Sequence, residues 1–387
     1  MTEWRKVKLG DCCEITSSKR IFYNEYVESG VPFYRSKEII EKAKGDTIST
    51  PLYISLVRFE EIKESFGVPQ KRDLLLTAVG SLGIPYLIKD SNPFYFKDGN
   101  LIWFKSFNDD LNSEFLYYWF KTRSAFQMLD KIAIGSAQKA LTISSIKQIS
   151  IQIPARYIQE RIVTVLSRYD ALIENYQRQI KLLEEAAQRL YKEWFVDLRF
   201  PGHQSTPIIN NLPQSWQKKK LGEIAEFKRG KTITKKEIIE GDVPVVAGGL
   251  EPAYYCNKSN TDKRVVTVSG SGANAGFTRM YFEKVWASDC SFVDCSSTRY
   301  LHFVYCYLIA NKTSIDNMQK GAAQPHVYAK DINAMDILVP SCNVLDSFER
   351  EASKLFDVIA SRNNQIRNLS EARDRLLPKL MSAEIQV

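Results

Sequence analysis

The feature that most constrains the fold of this chain is an internal duplication. Residues 4–11 reappear in similar form at 216–223, and the Val-Pro dipeptide at 31–32 recurs at 243–244, each time 212 residues further on. A sequence that repeats itself must be interpreted as copies of one structural unit before any single motif is assigned. The chain is therefore predicted to be a tandem duplication.

Three more matches follow in the same order along both halves. Residues 74–81 resemble 264–271 at a shift of 190, and both stretches are largely apolar and end in Gly-Ser. Gly135-Ser-Ala-Gln returns as Gly321-Ala-Ala-Gln, and Ile151-Gln-Ile-Pro returns as Ile337-Leu-Val-Pro, both at a shift of 186. Chance does not readily produce ordered matches of this kind, which supports the duplication.

Each half ends in a long helical period. Its seam positions are spaced alternately four and three residues apart, which is typical of a coiled coil. The predicted seam of the first half consists of Ile162, Leu166, Tyr169, Ile173, Tyr176, Ile180, Leu183, Ala187, Leu190 and Trp194. The predicted seam of the second half consists of Phe348, Ala352, Leu355, Ile359, Arg362, Ile366, Leu369, Arg373, Leu376 and Leu380. Its two arginines are predicted to extend toward solvent, with acidic or phosphate groups as alternative partners.

The predicted fold consists of two similar mixed globular domains, of α+β or α/β class. Two long helices separate them and form an antiparallel coiled coil with pseudo-two-fold symmetry. The predicted bounds are 1–155 for the first domain, 156–199 for the first helix, 200–341 for a linker and the second domain, and 342–387 for the second helix. Further predictions are buried strands at 74–79 and 265–268, short strands at 149–153 and 336–339, and amphipathic helices at 115–120 and 300–309.

The first helix must carry the chain from one domain to the other. Its 33-residue seam spans about 48 Å at ~1.5 Å per residue. B-DNA repeats every ~34–36 Å, so two domains on paired helices would face the same side of a duplex about one turn apart. This arrangement predicts recognition of a split DNA site, with two different half-sites and a spacer read by its length alone.

Composition is compatible with a nucleic-acid partner. Of 387 residues, 44% are hydrophobic and 25% charged, and 53 Lys+Arg against 45 Asp+Glu give a net charge of +8. That surplus permits a polyanionic partner. The lack of a long apolar run and the polar start argue against a membrane span or a secretory signal, so a cytoplasmic location is predicted.

Seven cysteines are present. They lack the spacing of a metal site and are predicted to be reduced and mostly buried. Cys290 and Cys295 are the one conceivable half of a zinc site.

Basic residues near the start of each half are candidates for phosphate binding, because Lys and Arg neutralise phosphates. The candidates are Lys19, Arg20, Lys228, Arg229 and Lys231. A solvated charged face would have the same composition and stays open as the alternative.

Loop motifs supply further candidates. Small residues let the backbone approach a phosphate, Gln can bind adenine bidentately, and Arg can bind guanine. The candidates are Tyr34, Arg35, Lys37, Ser81, Ser136, Gln138, Lys139, Ser271, Asn274, Gln324 and His326. A tight turn is the alternative interpretation of the Gly-Ser-Ala-Gln motif.

The ordered motifs resemble a known family. Each half opens with Trp-x4-Leu-Gly-[Asp/Glu] at Trp4 or Trp216, passes Val-Pro and Gly-Ser, and reaches Gly-[Ser/Ala]-Ala-Gln and Ile-x-[Ile/Val]-Pro before the long helix. This set is similar to the specificity subunit of Type I restriction–modification systems, and the resemblance covers nearly the whole chain.

The resemblance implies a non-catalytic DNA-binding subunit. In that family each globular domain is a target recognition domain that reads one part of a bipartite site. The helices form an antiparallel coiled coil that sets the spacer and docks modification subunits, here expected to be two. Adenine methylation would use S-adenosylmethionine on those subunits, and cleavage would use ATP and Mg on restriction subunits. No cofactor or metal is expected on this chain. Because Pro325 replaces Lys139 between the halves, the two loops need not bind alike.

Two other functions stay open at this stage. A self-contained methyltransferase or nuclease would draw on Asn92-Pro-Phe-Tyr, on the glycines of 270–276, or on Asp46 with Glu61 and Lys63. Each of these matches is incomplete, and short motifs recur by accident. The second alternative is a scaffold whose coiled coil binds other proteins.

Overall fold

The computed structural model describes residues 4–45, 48–135, 139–210, 212–234, 237–320 and 325–387. The chain divides into two compact units, each of which combines a mixed body of helices and strands with part of each long helix. Unit 1 comprises Met1–Asn175 and Ile366–Val387, and unit 2 comprises Tyr176–Gln365. The predicted mixture of helices and sheets is confirmed.

Unit 1 contains the strands and short helices of the first half. Its strands are β1 (Arg5–Lys8), β2 (Glu14–Thr16), β3 (Tyr26–Val27), β4 (Val31–Tyr34), β5 (Leu52–Ile54), β6 (Leu74–Thr77), β7 (Pro85–Leu87), β8 (Tyr95–Phe96), β9 (Leu101–Lys105) and β10 (Ser150–Ile153). Its helices are α1 (Leu9–Cys12), α2 (Ser36–Lys44), α3 (Leu56–Phe66), α4 (Ser113–Phe120), α5 (Arg123–Ile132), α6 (Ile143–Lys147) and the first part of α7 (Arg156–Tyr191).

The strands of unit 1 form sheets with the orders β2-β9-β6-β7, β3-β5-β4-β8 and β1-β10. Neighbouring strands are antiparallel except β4 and β8, which are parallel. Strand β6 is buried at every residue. Its side chains alternate between two faces, so Leu74 and Leu76 pack in one apolar cluster and Leu75 packs in another. Burial on both faces explains why this strand is a continuous apolar run.

Unit 2 contains the strands and short helices of the second half. Its strands are β11 (Ile208–Ile209), β12 (Leu212–Pro213), β13 (Gln217–Lys220), β14 (Lys228–Arg229), β15 (Val243–Val246), β16 (Tyr254–Cys256), β17 (Val265–Ser269), β18 (Thr278–Tyr281), β19 (Trp286–Ala287), β20 (Cys290–Asp294) and β21 (Asp336–Val339). Its helices are the end of α7, α8 (Leu301–Ala310), α9 (Lys312–Asn317), α10 (Ala329–Asn333) and the first part of α11 (Cys342–Met381).

The two units repeat one strand order. The sheets β14-β20-β17-β18, β16-β15-β19 and β13-β21 of unit 2 correspond to β2-β9-β6-β7, to the β5-β4-β8 part of β3-β5-β4-β8, and to β1-β10 of unit 1. The parallel pair recurs as well, since β15 runs parallel to β19. The predicted duplication is therefore present in the topology. Unit 1 adds α2 and α3 between β4 and β6, whereas the fully described stretch from β15 to β17 contains strand β16 and no helix.

Two segments differ from the prediction. Helix α8 is not amphipathic, because every residue from Leu301 to Leu308 is buried. It packs in one cluster with β17 and both long helices, which leaves it no solvent face. The segment predicted as a linker after residue 199 is anchored to the core. Phe200 is buried there and its ring lies 4.9 Å from that of Trp216.

The apolar residues of both predicted seams are buried or half-buried. In unit 2 the contacts are aromatic. Phe348 of α11 packs against Phe195, Trp194 and Tyr191, with ring centroids separated by 4.9, 5.8 and 6.2 Å. Phe195 lies just beyond α7, in a π-helical turn at Lys192–Val196.

Further along the helices of unit 2, Arg362 contacts the facing helix. Its guanidinium lies 4.8 Å from the Tyr176 ring centroid, and its Nε donates to Gln179 Oε1 at 2.8 Å. Residue numbers rise along one helix as they fall along the other, so the two helical segments of unit 2 run antiparallel.

One contact between the helical segments of unit 1 is ionic. Arg373 Nη1 of α11 donates to Asp170 Oδ1 of α7 at 2.6 Å, and the Tyr118 hydroxyl donates to Asp170 Oδ2 at 2.8 Å. Lys121 Nζ lies 3.8 Å from the same carboxylate. Burial alone would raise the pKa of Asp170, but Lys121 and the hydrogen bonds from Arg373 and Tyr118 hold it below its ordinary value.

The prediction that both seam arginines extend into solvent is wrong. Arg373 binds a carboxylate and Arg362 binds an amide oxygen and a ring. The side chain of Arg373 is only 21% exposed. A helical period identifies the face on which an arginine lies, but it carries no information about the acidic group on the helix opposite.

Candidate nucleic-acid interface

The glycine turns after β6 and β17 define equivalent places in the two units. In unit 1, Leu141 N donates to Ala78 O at 2.8 Å, and in unit 2, Val327 N donates to Gly270 O at 3.0 Å. Ala78 therefore corresponds to Gly270, a shift of 192. The alignment of these stretches at a shift of 190 is wrong, because matching Gly-Ser to Gly-Ser missed the different lengths of chain that follow the two strands.

The corrected alignment places Gly80 opposite Gly272. Both have positive φ, 78° and 80°, and a Cβ added to either would meet nothing within 4 Å. Each is thus a tight turn that projects from its unit, in a conformation that favours glycine. Ser81 and Ser271 are not equivalent residues, because Ser271 corresponds to Val79.

Residues that flank the Gly-[Ser/Ala]-Ala-Gln motifs lie beside these turns. Ala140 forms bridges with Val79 and Ile134, and His326 forms bridges with Ser271 and Lys320. Three of the predicted residues in these loops, Ser136, Gln138 and Gln324, lie outside the described residues, as does Asp46 of the nuclease alternative.

A cleft of about 490 Å³ opens beside the turn in unit 2. Its lining combines cations, rings and a carboxylate: Arg229, Gly270, Asp289, Cys290, Ser291, His326, Val327, Tyr328, Ala329 and Lys330. The His326 and Tyr328 rings stack with centroids 5.9 Å apart and planes inclined by 10°. Lys330 Nζ lies 5.8 Å from the Tyr328 ring centroid. We name this region the unit 2 cleft.

A cleft of about 580 Å³ opens beside the turn in unit 1. Its lining is more apolar: Gly80, Ser81, Leu82, Ile84, Phe126, Leu129, Asp130 and Lys139. The Phe126 side chain is exposed, and Lys139 is paired with Asp130, which neutralises its charge. We name this region the unit 1 cleft. The two clefts lie beside equivalent turns but are lined by residues that are not equivalent. At the positions of His326, Tyr328 and Lys330, unit 1 has Ala140, Thr142 and Ser144.

The basic candidates of unit 1 are exposed but already engaged. Lys19 Nζ lies 4.0 Å from the Phe66 ring centroid, and Arg20 Nε lies 2.9 Å from Asp98 Oδ2. The basic candidates of unit 2 are Lys228 and Arg229 of β14 and the nearby Lys231, all exposed.

The candidates after the Val-Pro strand of unit 1 differ in accessibility. Tyr34 is buried at 8% exposure, with its ring 5.1 Å from that of Phe94, so the expectation that Tyr34 contacts DNA is withdrawn. Arg35 is tied to the fully buried Glu38 through Nη2 at 2.5 Å and Nε at 3.2 Å. Lys37 is exposed, with Nζ 4.0 Å from Glu41.

The residues at the same place in unit 2 are glycines. Gly248 and Gly249 follow β15, where unit 1 has Ser36 and Lys37. Asn274, one of the predicted residues, lies beside this loop, with Nδ2 3.5 Å from Gly248 O. Ser271 donates to the carboxylate of Asp289.

The cysteines do not form a metal site within the described residues, where no group of three or more His, Cys, Asp or Glu side chains is placed to hold an ion. Cys290 is buried, and burial raises the pKa of its thiol to about 12. Cys295 is exposed, and its Sγ contacts Lys263 O at 3.0 Å. Cys342 is also exposed, while the other cysteines are buried as predicted.

Sequence reasoning missed Asp289, Tyr328 and Lys330. Tyr328 and Lys330 follow the second loop closely, and an aromatic next to a base near that motif was a usable signal. Asp289 had no such signal, because only the pairing of β20 with β17 brings it to the cleft.

Within the described ranges, every helix is too short or too polar to serve as a membrane-spanning segment.

Comparison with known proteins gives a consistent result. A family model described as "Type I restriction modification DNA specificity domain" matches residues 1–185 and 213–369. The Type I restriction enzyme MjaIX specificity subunit of Methanocaldococcus jannaschii is 28% identical over 100% of this chain and 94% of its own length. The Type I restriction enzyme HindI specificity subunit of Haemophilus influenzae is 20% identical, with 100% of both chains covered.

Among solved structures, the S subunit of a Type I restriction–modification system from M. genitalium aligns with a TM-score of 0.60. The alignment covers 98% of this chain and 96% of that one at 18% identity. At this identity the likeness establishes the fold alone.

Proposed function

Because this chain belongs to the family of Type I restriction–modification DNA specificity proteins, we propose that it reads a bipartite, asymmetric DNA site with a fixed-length spacer. It directs adenine methylation and restriction by partner subunits and carries out neither reaction itself. Unit 1 binds one half-site and unit 2 binds the other.

One observation carries this proposal: a single strand order occurs twice, with different side chains at equivalent positions beside the glycine turns. The unit 2 cleft offers Arg229, Lys330 and the His326–Tyr328 ring pair, whereas the unit 1 cleft offers Phe126 and a neutralised Lys139. Cations bind phosphates and rings stack on bases, so each cleft has groups suited to DNA. Unit 1 has Ala140, Thr142 and Ser144 where unit 2 has His326, Tyr328 and Lys330, and this difference favours different half-sites.

The proposed spacer is an antiparallel coiled coil of α7 and α11 with pseudo-two-fold symmetry. The Arg362 and Phe348 contacts inside unit 2 and the Arg373–Asp170 contact inside unit 1 support this pairing. Paired helices resist bending, so their length would fix the distance between the half-sites without touching the intervening bases.

The proposed partners are double-stranded DNA, two modification subunits and, in the full complex, restriction subunits, all acting in the cytoplasm. S-adenosylmethionine would bind the modification subunits, and ATP with Mg would bind the restriction subunits. The proposed DNA-contacting set retains Lys19, Arg20, Arg35, Lys37, Ser81, Lys139, Lys228, Arg229, Lys231, Ser271, Asn274 and His326, together with Ser136, Gln138 and Gln324.

Sequencing of methylated adenines in a host with and without this gene tests the proposal. We expect one split motif with a constant gap that is present only when the gene is present. The purified chain alone should methylate and cleave nothing. Methyl transfer or cleavage by the chain alone would favour the enzyme alternative. DNA affinity that is insensitive to salt would favour the scaffold, since phosphate binding releases counterions.

The spacer is tested by deleting one heptad from each long helix. The deletion removes about 10 Å of helix, which corresponds to about 3 base pairs of B-DNA. We expect a methylated motif with unchanged half-sites and a shorter gap. A gap of unchanged length would exclude the helices as the element that measures it.

A further inference from the structure

The unit 2 cleft contains a carboxylate among its cations. Asp289 is exposed, lies in the short turn between β19 and β20, and lines the cleft together with Arg229, His326 and Lys330. A carboxylate repels the phosphates of DNA, so Asp289 does not increase the affinity for DNA of any sequence.

The surrounding backbone holds this carboxylate in a defined place. The Ser271 hydroxyl donates a hydrogen bond to Asp289 Oδ2. A Cβ at Gly270 would lie 3.1 Å from Asp289 Oδ1, and a Cβ at Gly248 would lie 2.7 Å from Ser271 O and 3.5 Å from Asp289 Oδ2. Glycines on both sides therefore leave room for the carboxylate and keep it accessible from the cleft.

An ionised carboxylate only accepts hydrogen bonds. In the major groove, the base groups that donate are the exocyclic amino groups of cytosine N4 and adenine N6. Phosphates, guanine N7 and O6, and thymine O4 only accept. The nearby cations would bind the phosphate backbone and so hold the DNA in one position. Asp289 would then select for a base that bears an amino group at the position it faces.

Unit 1 has no equivalent carboxylate. Ala78 N donates to Asn100 O at 2.8 Å, as Gly270 N donates to Asp289 O at 3.1 Å, so Asn100 is the counterpart of Asp289. Ser36 replaces Gly248 there, and its hydroxyl donates to Asn100 O at 3.2 Å. A neutral amide both donates and accepts hydrogen bonds, so it does not select for amino groups alone.

We propose that Asp289 is a specificity-determining residue, which accepts a hydrogen bond from the exocyclic amino group of a cytosine or adenine in the half-site bound by unit 2. This inference rests on the proposed function. It concerns one base position, and it leaves the other half-site and the spacer unaffected.

The test compares Asp289→Asn with wild type in the complex with modification subunits. Asparagine keeps the shape but adds donors, so discrimination at one position of one half-site should fall by about 5- to 10-fold, the lower range for a single base contact. Asp336→Asn is the matched control, because Asp336 is an exposed carboxylate of unit 2 on β21, paired with Lys220. Competition binding with duplexes substituted at each motif position, and methylated-adenine sequencing, provide the measurements.

Relaxation confined to one position of one half-site supports the proposal, and the identity of the base preferred by wild type distinguishes cytosine from adenine. An unchanged motif, or equal weakening for every duplex, overturns it. If Asp289→Asn unfolds, Ser271→Ala replaces it, because loss of the hydroxyl should relax the same position less strongly. A wild-type complex without any split motif refutes the proposed function instead, so the two failures are distinguishable.

Discussion

The two units solve the same packing problem in different ways. In unit 2, the helix facing α7 inserts Phe348 among the rings of Trp194, Phe195 and Phe303. In unit 1, Ile162 and Leu166 of α7 pack in one cluster with Leu377 and Leu380 of α11. Arg373 and Asp170 also join these helices, with Tyr118 and Lys121 on the same carboxylate. At a repeat shift of 186, the positions equivalent to Asp170 and Arg373 are the buried Phe356 and Ala187.

This difference shows that one fold tolerates either an apolar or an ionic contact between its helices. Apolar packing is non-directional and its contribution follows the buried area. An ion pair at a half-buried place must match charge with charge, and it is strongly destabilised when either partner is lost. At the positions of Asp170 and Arg373, unit 1 therefore depends on individual polar residues, whereas unit 2 depends on the volume of Phe356 and Ala187.

The loops that follow the two Val-Pro strands differ as well. After the Val-Pro strand, unit 1 places Arg35 on the buried Glu38 and continues into helix α2. Unit 2 places Gly248 and Gly249 there, which gives access to Asp289. A shared scaffold thus leaves the loops free to differ, and loops carry the binding residues of many folds.

The largest expected effect is the loss of the aromatic contact in unit 2. Phe348→Ala removes a fully buried ring and should lower the free energy of unfolding by about 3–5 kcal/mol. Val358→Ala, at a 40% exposed position of the same helix, should change it by less than about 0.5 kcal/mol. Urea denaturation followed by circular dichroism provides the measurement. If both variants lower the free energy of unfolding by similar amounts, the assigned packing of Phe348 is refuted.

The next effect concerns the ion pair of unit 1. Arg373→Ala leaves Asp170 without its closest cation and should lower the free energy of unfolding by about 2–3 kcal/mol, less than for a fully buried pair. Arg375→Ala is the control on the same helix, since Arg375 is 82% exposed. If both variants unfold at the same urea concentration, Arg373 does not stabilise unit 1.

The ion pair also predicts a dependence on pH. The folded-state pKa of Asp170 is lowered, so its contribution is present above the unfolded value and is lost as the pH falls through the folded value. We expect stability to decline below about pH 4, where unfolded aspartate titrates. Asp170→Asn should decline less steeply over this range. If the stability of wild type and of Asp170→Asn falls equally with pH, the lowered pKa of Asp170 is contradicted.

The smallest expected effect is a difference between Arg229 of unit 2 and Arg20 of unit 1 in their contribution to the salt dependence of DNA binding. Arg229→Ala should reduce the slope of log affinity against log salt concentration by about 0.9, the value for one phosphate contact. Arg20→Ala should reduce it less, because Asp98 neutralises Arg20. Titration of nonspecific duplex DNA at several salt concentrations measures both slopes. A larger change for Arg20 would reverse the proposed roles.

Much of the fold was predictable from local pattern. The duplication, the two long helices and the buried strands β6 and β17 follow from repeats, four-three spacing and apolar runs, which are properties of neighbouring residues. Candidate residues such as His326 and Ser271 were also found, and β-bridges bring them together. Tyr34 could not be judged in this way, because its burial depends on Phe94, which is distant in sequence.

The sequence alone determined that two copies of one mixed fold are present, that each copy ends in a long helix, and which family this pattern resembles. Only the tertiary structure decided that the repeat shift at the glycine turns is 192, that Arg373 binds Asp170, and that Asp289 lies in the unit 2 cleft. The spacing of apolar residues along a helix or strand is a property of residues that are close together in the sequence. Hydrogen bonds and ion pairs join residues that are far apart in the chain, and only the folded chain brings them within reach of one another.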